Sequence, residues 1–183
     1  MRSMSSSSVS AATGLSLLEA EFERFYKTVY RYLLHRTFDQ ELAEELTAET
    51  FYKSAAYASR IGADPNHLQA WLLRAARHAA DAHYRRQRTR RVLLNFLIWK
   101  RSPEHSPAVG AGGTDGRCER VRAALRALSP QHQDVIVLRY YLQLSHEEIA
   151  EVLTCAPDAA RARLSRALRV LRDRLDLENL IED

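Results

Sequence analysis

A four-residue break, Thr154-Cys155-Ala156-Pro157, constrains this chain more than any other feature. Before it lies a short segment opened by Ser145-His146-Glu147-Glu148, a capping box in which Ser and Glu satisfy each other's unpaired amides at a helix start. That helix has room to run only from His146 to Leu153. After the break, Ala160, Leu164, Ala167, Leu171 and Leu175 recur at helical spacing and predict a buried face. Arg161, Arg163, Arg166, Arg169 and Arg172 occupy the remaining circumference. A compact helix, a tight turn and a longer basic helix make a helix-turn-helix arrangement. The second helix of such a pair can enter a major groove with its N-terminal residues at base edges. Arginines there read guanine or neutralise phosphate.

The rest of the chain predicts an all-α fold. Six Gly and five Pro among 183 residues are too few for a turn-rich β protein, and Ala, Leu, Arg and Glu are good helix formers. Leu18, Phe22, Phe25, Val29 and Leu33 predict one amphipathic helix from Leu15 to His35. Asp39 is placed to cap a second helix reaching Ser59, with Leu42, Leu46 and Phe51 inward. Gly62 and Pro65 then break the pattern. A third helix comes next, with Leu68, Trp71, Leu72, Ala75, Ala79 and Ala82 on one face and Arg74, Arg77, Asp81, Arg85 and Arg88 on the other. Val121, Leu125 and Leu128 start a further helical period. Ser129-Pro130 offers an N-cap with Pro at the first helical position, and Val135, Leu138 and Leu142 share one side of the helix it would open.

These elements divide into a Ser-rich tail over 1–14, expected to be disordered, a helical domain over 15–91, a flexible linker over 92–117 and a second helical domain over 118–178. The linker holds the Gly- and Pro-rich stretch Arg101 to Arg117. The apolar run Val92 to Trp99 before it is a candidate for docking on a neighbouring surface. That run is far shorter than the roughly 20 residues that span a bilayer, so no membrane span is expected. Cys118 and Cys155 are too few for a disulfide framework or a zinc site, which fits a reducing, cytoplasmic compartment. No metal or cofactor is expected.

Charge points to the partner. The net charge is +4, yet Arg74 to Arg91 holds seven arginines against one Asp, and Pro157 to Leu175 six against two. Two basic patches on an otherwise acidic chain are the footprint of a protein that binds a polyanion.

Four stretches, in order, carry a family resemblance. "AEELTAETFYKSA" and "AWLLRAARHAADAHYRRQR" in the first block, and "LSPQHQDVIVLRYYLQLSHEEIAEVL" and "ARARLSRALRVL" in the second, resemble a bacterial RNA polymerase sigma factor of the extracytoplasmic-function (ECF) group in the sigma-70 family. The resemblance implies a protein that binds core RNA polymerase, through its β′ and β subunits, and promoter DNA. It also allows an anti-sigma factor as a further partner. It assigns polymerase docking to Glu45, Glu49, Leu46 and Phe51, one turn of helix and its apolar neighbours. It assigns the −10 element to Asp64, Asn66, Arg74, Arg77, His78, Asp81 and Arg85, and the −35 element to Ser145, Arg161, Arg163 and Arg166. The chain departs from the family pattern at Ala48, where Gln is usual, at His78, where Asn is common, and at Thr154, where Gly closes the turn.

An enzyme is not expected. "HEEIA" begins like a zinc-protease helix, but Ala150 stands where the second His would be needed, and no Gly-rich phosphate loop is present. The alternative is a helix-turn-helix regulator that binds operator DNA without serving as a polymerase subunit. A second basic helix in the first block suits a two-site DNA reader better than a sensory domain.

Overall fold

A computed structural model of the chain describes residues 14–58, 60, 64–97 and 116–181. Their regular structure is helical throughout: α1 Gly14–Ala20, α2 Phe22–Thr37, α3 Gln40–Ala58, α4 Pro65–Leu97, α5 Gly116–Arg126, α6 Pro130–Ile136, α7 His146–Leu153 and α8 Pro157–Ile181. Among these residues no helix is long and apolar enough to cross a membrane. The expected tail up to residue 13, and the Gly- and Pro-rich part of the expected linker, lie outside the described residues.

The single helix expected over Leu15 to His35 is two. Glu21 leaves helical geometry at φ −115°, ψ 26°, and its carboxylate pairs with Arg24 one turn on. Phe22, expected inward, is therefore turned out to 46% exposure and stacks with Tyr26 and Phe51 instead. Phe25, Val29 and Leu33 do face the core. Asp39 caps α3, its Oδ1 accepting from the Leu42 amide at 3.0 Å.

Helices α2, α3 and α4 close around Phe25, Val29, Leu33, Leu46, Leu68, Leu72 and Leu73, all at or near zero exposure. The inward stripe of α4 is Leu68, Leu72, Leu73, Ala76 and Ala80, rotated from the expected Ala75, Ala79, Ala82 face, which is only half-buried. The rotation carries Arg74 and Arg77 toward the protein, where both are half-buried. Helix α4 also continues to Leu97, past Arg91, where the sequence suggested a linker begins.

The second half is built on α6, α7 and α8. Ser129 holds the extended N-cap position before Pro130 but makes no side-chain cap bond. Its carbonyl accepts from the His132 and Gln133 amides at 3.0 Å. Val137–Tyr141 widens into a π turn that hands over to Gln143 at φ 59°. The capping box of α7 is fully formed: Ser145 N donates to Glu148 Oε2 at 2.7 Å, and Glu148 N to Ser145 Oγ at 3.1 Å. The turn into α8 closes with Thr154 in the left-handed region at φ 54°, ψ 52° and the Cys155 amide bonded to Ala150 O at 2.9 Å. Ala160, Leu164 and Ala167 seat α8 on this core, as their spacing predicts, while Leu171 and Leu175 are only half-buried.

The halves meet through polar side chains. Arg36, at the end of α2, is 3% exposed, and its Nε donates to Asp134 Oδ1 at 2.7 Å. Its Nη1 donates to Gln133 Oε1 at 2.8 Å and its Nη2 to Asp81 Oδ1 at 3.2 Å. Tyr32 Oη donates to the same Asp134 oxygen at 2.9 Å. Burial pushes the Tyr32 hydroxyl well above its usual value, so it stays protonated and donates. Burial works against the Arg36 charge, but the Asp134 carboxylate outweighs it and holds the guanidinium protonated. Around this knot, Arg31 Nη2 donates to Tyr141 O at 2.9 Å, and His35 stacks on the Tyr141 ring with centroids 3.7 Å apart.

Thr154 sets up the first prediction. A β-branched residue in the left-handed region is strained by roughly 1–2 kcal/mol, a cost glycine avoids at the expense of a more flexible unfolded chain. Thr154→Gly should therefore raise stability by about 0.5–1 kcal/mol net. A thermal melt should move up by a few degrees.

Candidate functional site

Three surfaces carry the residues singled out by sequence. On α3, Glu45 is exposed and Glu49 half-buried, one turn apart, with Glu49 paired to Lys53 in the next turn. Leu46 and Phe51, expected to share that docking face, lie beneath it at 1% and 8% exposure. They fix the helix from behind rather than facing a partner. Tyr52, at 84% exposure, is an outward apolar group of α3 that the sequence pattern did not single out.

The second surface is the start and basic face of α4. Asp64 and Asn66 are exposed at its N-terminus, where Asp64 Oδ1 accepts from the Asn66 amide at 2.9 Å. His78 and Arg85 are exposed, and Arg77 is half-buried. Arg74 and Asp81 are held within the protein: Arg74 Nη2 donates to Glu151 O at 2.7 Å, and Asp81 accepts from Arg36. The seven residues thus share one helix and its entry, but not one open face.

The third surface is α8. Its first turns expose Arg161 and Arg166, with Arg163 half-buried between them. Arg161 Nη1 pairs with Asp158 Oδ1 at 2.8 Å across one turn, and Arg166 Nε donates to Ala162 O at 3.2 Å. Both contacts are solvent-exposed and cheap to exchange for phosphate. Ser145 sits apart, at the start of α7, and both its Oγ and its amide are engaged in the capping box. Among the described residues no cluster of three or more His, Cys, Asp or Glu side chains is placed to hold a metal ion.

Sequence reasoning missed the knot between the halves. A signal existed: Arg36 continues the buried line of Val29 and Leu33 at helical spacing, and Asp134 directly precedes the buried run from Val135 to Leu138. A charge on an apolar stripe calls for a buried partner.

Comparison with known proteins decides what the two halves are. Residues 22–90 match the family described as Sigma-70 region 2, and residues 118–171 match Sigma-70, region 4. The chain belongs to the sigma-70 family of RNA polymerase sigma factors. Within the family it stands in the ECF group. It is 30% identical over 162 residues to the ECF RNA polymerase sigma factor SigL of Mycobacterium tuberculosis, covering 88% of this chain and 90% of the relative. It is 29% identical to the ECF sigma factor BldN of Streptomyces coelicolor, over 82% of this chain but only 57% of the relative's length. A solved structure of the sigma factor RpoE from Bartonella quintana, in complex with the anti-sigma factor NepR, shares the fold with a TM-score of 0.66 at 23% identity. That match covers 87% of this chain and 96% of the other. The sigma factor is a promoter-specificity protein: it binds core RNA polymerase and promoter DNA and directs transcription initiation. An operator-binding regulator is not favoured, because both sigma regions are present in the expected order.

The geometry of Ser145 separates its structural role from any contact with DNA. Losing the side-chain half of a capping box costs about 1 kcal/mol. Ser145→Ala should lower the denaturant midpoint accordingly, while Ser145→Asp, which can still accept from the Glu148 amide, should restore most of the loss.

Proposed function

We propose that the sigma factor divides its promoter between two helical domains, over residues 15–91 and 118–178. The first reads the −10 element with Asp64, Asn66, Arg74, Arg77, His78, Asp81 and Arg85. The second reads the −35 element with Arg161, Arg163 and Arg166 at the N-terminal half of α8. The observation that carries this reading is a basic helix within each matched sigma region, each seated on its own apolar core. Ser145 contributes by fixing the start of α7, and so the angle at which α8 is presented.

Glu45 and Glu49 form an acidic docking face for the β′ subunit, supported from below by Leu46 and Phe51. The protein has no catalytic activity of its own and works in the cytoplasm, where polymerase and promoter are. An anti-sigma factor is a further partner, of the class held by the Bartonella relative in its solved complex.

Reconstituted run-off transcription with purified core polymerase tests the assignment. Promoter-specific initiation should require the sigma factor and should map its promoter. On that promoter, Arg161→Ala and Arg163→Ala should each reduce −35-dependent initiation. A bidentate guanine contact is worth about 1–3 kcal/mol, roughly five- to 150-fold in binding, and its loss relaxes the preference at one base pair. A phosphate contact instead weakens all sequences alike and flattens the salt dependence. If neither substitution affects −35-dependent initiation, the assignment of α8 is wrong.

Charge reversal at Glu45 and Glu49 should weaken binding to core polymerase and leave thermal stability within the range of exposed substitutions, about 0.5 kcal/mol. Core binding by fluorescence anisotropy beside a thermal melt checks both halves of that statement.

A further inference from the structure

The proposed −10 surface is not open in this arrangement. Arg74 is bonded to the α7 backbone at Glu151 O, and His67 Nδ1 meets the Glu151 carboxylate at 2.7 Å. Asp81 is bonded to the same Arg36 guanidinium that holds Asp134 and Gln133 of the second half. Helix α7 thus lies against the α4 face that would meet DNA, and α7 belongs to the helix-turn-helix that would meet the other element. Two promoter elements lie on the order of 50 Å apart along a duplex. Helices joined by direct hydrogen bonds cannot reach both.

We infer that the sigma factor is held closed by a latch between Arg36 and Asp134, that closure covers Arg74 and engages Asp81, and that the halves must separate before the promoter is read. The covering part of this inference rests on the −10 assignment proposed above; the latch itself does not.

Three observations carry it. The contact is specific: Tyr32 Oη and Arg36 Nε converge on one oxygen of Asp134, so the halves dock in one orientation rather than by general apolar adhesion. The contact is also releasable. Burial raises the Asp134 carboxyl against the opposing pull of Arg36, and a buried ion pair returns little beyond its own desolvation. In addition, docking leaves donors unsatisfied. Arg74 Nε and Arg126 Nη2 are buried without a hydrogen-bond partner, and the Arg126 guanidinium lies over the Phe38 ring of the first half at 5.1 Å. Opening would return these groups to water. Core polymerase then needs only to bind the open form more tightly in order to shift the population toward it.

The test uses the full chain with Cys118→Ser and Cys155→Ser, and spin labels attached at Glu41→Cys in α3 and Arg169→Cys in α8, both exposed positions. Pulsed electron-spin measurement reads the distance between the labels. The free protein should give one short, narrow distribution, and Asp134→Ala a longer and broader one. Assembly with core polymerase and promoter should lengthen the distance even with Asp134 intact, so the test stands if the alanine variant fails to fold. A broad, long distribution in the free protein, or a short one kept in the promoter complex, overturns the latch.

Covering is read by the affinity of the isolated protein for a fluorescent single strand carrying the −10 sequence of the promoter mapped by run-off transcription. If the closed form outnumbers the open about ten to one, Asp134→Ala should bind roughly tenfold tighter. An opened variant that binds no tighter overturns the covering. Arg74→Ala, assayed in the assembled holoenzyme where the latch is already released, examines the −10 assignment alone. Unchanged initiation there sinks that assignment, and the covering with it, while the distance result continues to support the latch.

Discussion

One buried guanidinium joins the two halves of this sigma factor. Arg36 leaves the last turn of α2 and bonds to Asp134 and Gln133 on α6 and to Asp81 on α4. Gln133 extends the network, its Nε2 donating to the carbonyls of Leu125, Arg126 and Leu128 at the corner between α5 and α6. An unbroken polar path therefore runs from the first half's core to the loop that starts the second half's core. Such networks stabilise only while every member is paired, because a stranded buried charge costs several kcal/mol. Docking is consequently close to all-or-none: the parts of the knot form together or not at all.

The apolar cores are organised differently. Each half buries its own leucines and alanines around helices adjacent in sequence, α2 to α4 in one and α6 to α8 in the other. The polar contact between them positions two bodies that are each already shaped by local packing. This arrangement suits a protein that must present two surfaces to one long ligand. The internal geometry of each surface is protected by its core, while their mutual placement is left to weaker, exchangeable bonds.

How much of this was legible in the sequence varies with the kind of signal. The capping box at Ser145 and the seat of α8 on Ala160, Leu164 and Ala167 were readable, because capping chemistry and 3.6-residue periodicity are local. The break at Glu21 was not, since nothing in its residue type interrupts the apolar repeat around it. The face of α4 was misread for a different reason. Its alanines occur all round the helix and mark no side, so only Leu68, Leu72 and Leu73 discriminate. Long Arg74 and Arg77 side chains can also lay their stems on apolar surface and count as half-buried. The Arg36 to Asp134 bond joins residues 98 apart in the chain, and no periodicity encodes a pairing at that distance. The family resemblance supplied what periodicity could not, the identity of each surface, but not how the surfaces lie against one another.

The π turn at Val137–Tyr141 bears on how this segment tolerates changes of length. There the Leu142 amide reaches back to Val137 O at 3.1 Å, so the turn accommodates one more residue than an α-helical turn would. Everything beyond it is rotated by about 100° relative to a regular helix. That rotation is what aims the Tyr141 ring at His35 and leaves Tyr140 in solvent. A single-residue deletion here would let the helix relax to ordinary geometry and cost the second half's core little. It would nevertheless swing Tyr141 off His35 and its carbonyl away from Arg31. The segment is thus a place where a length change too small to disturb folding would re-index the contact between the halves.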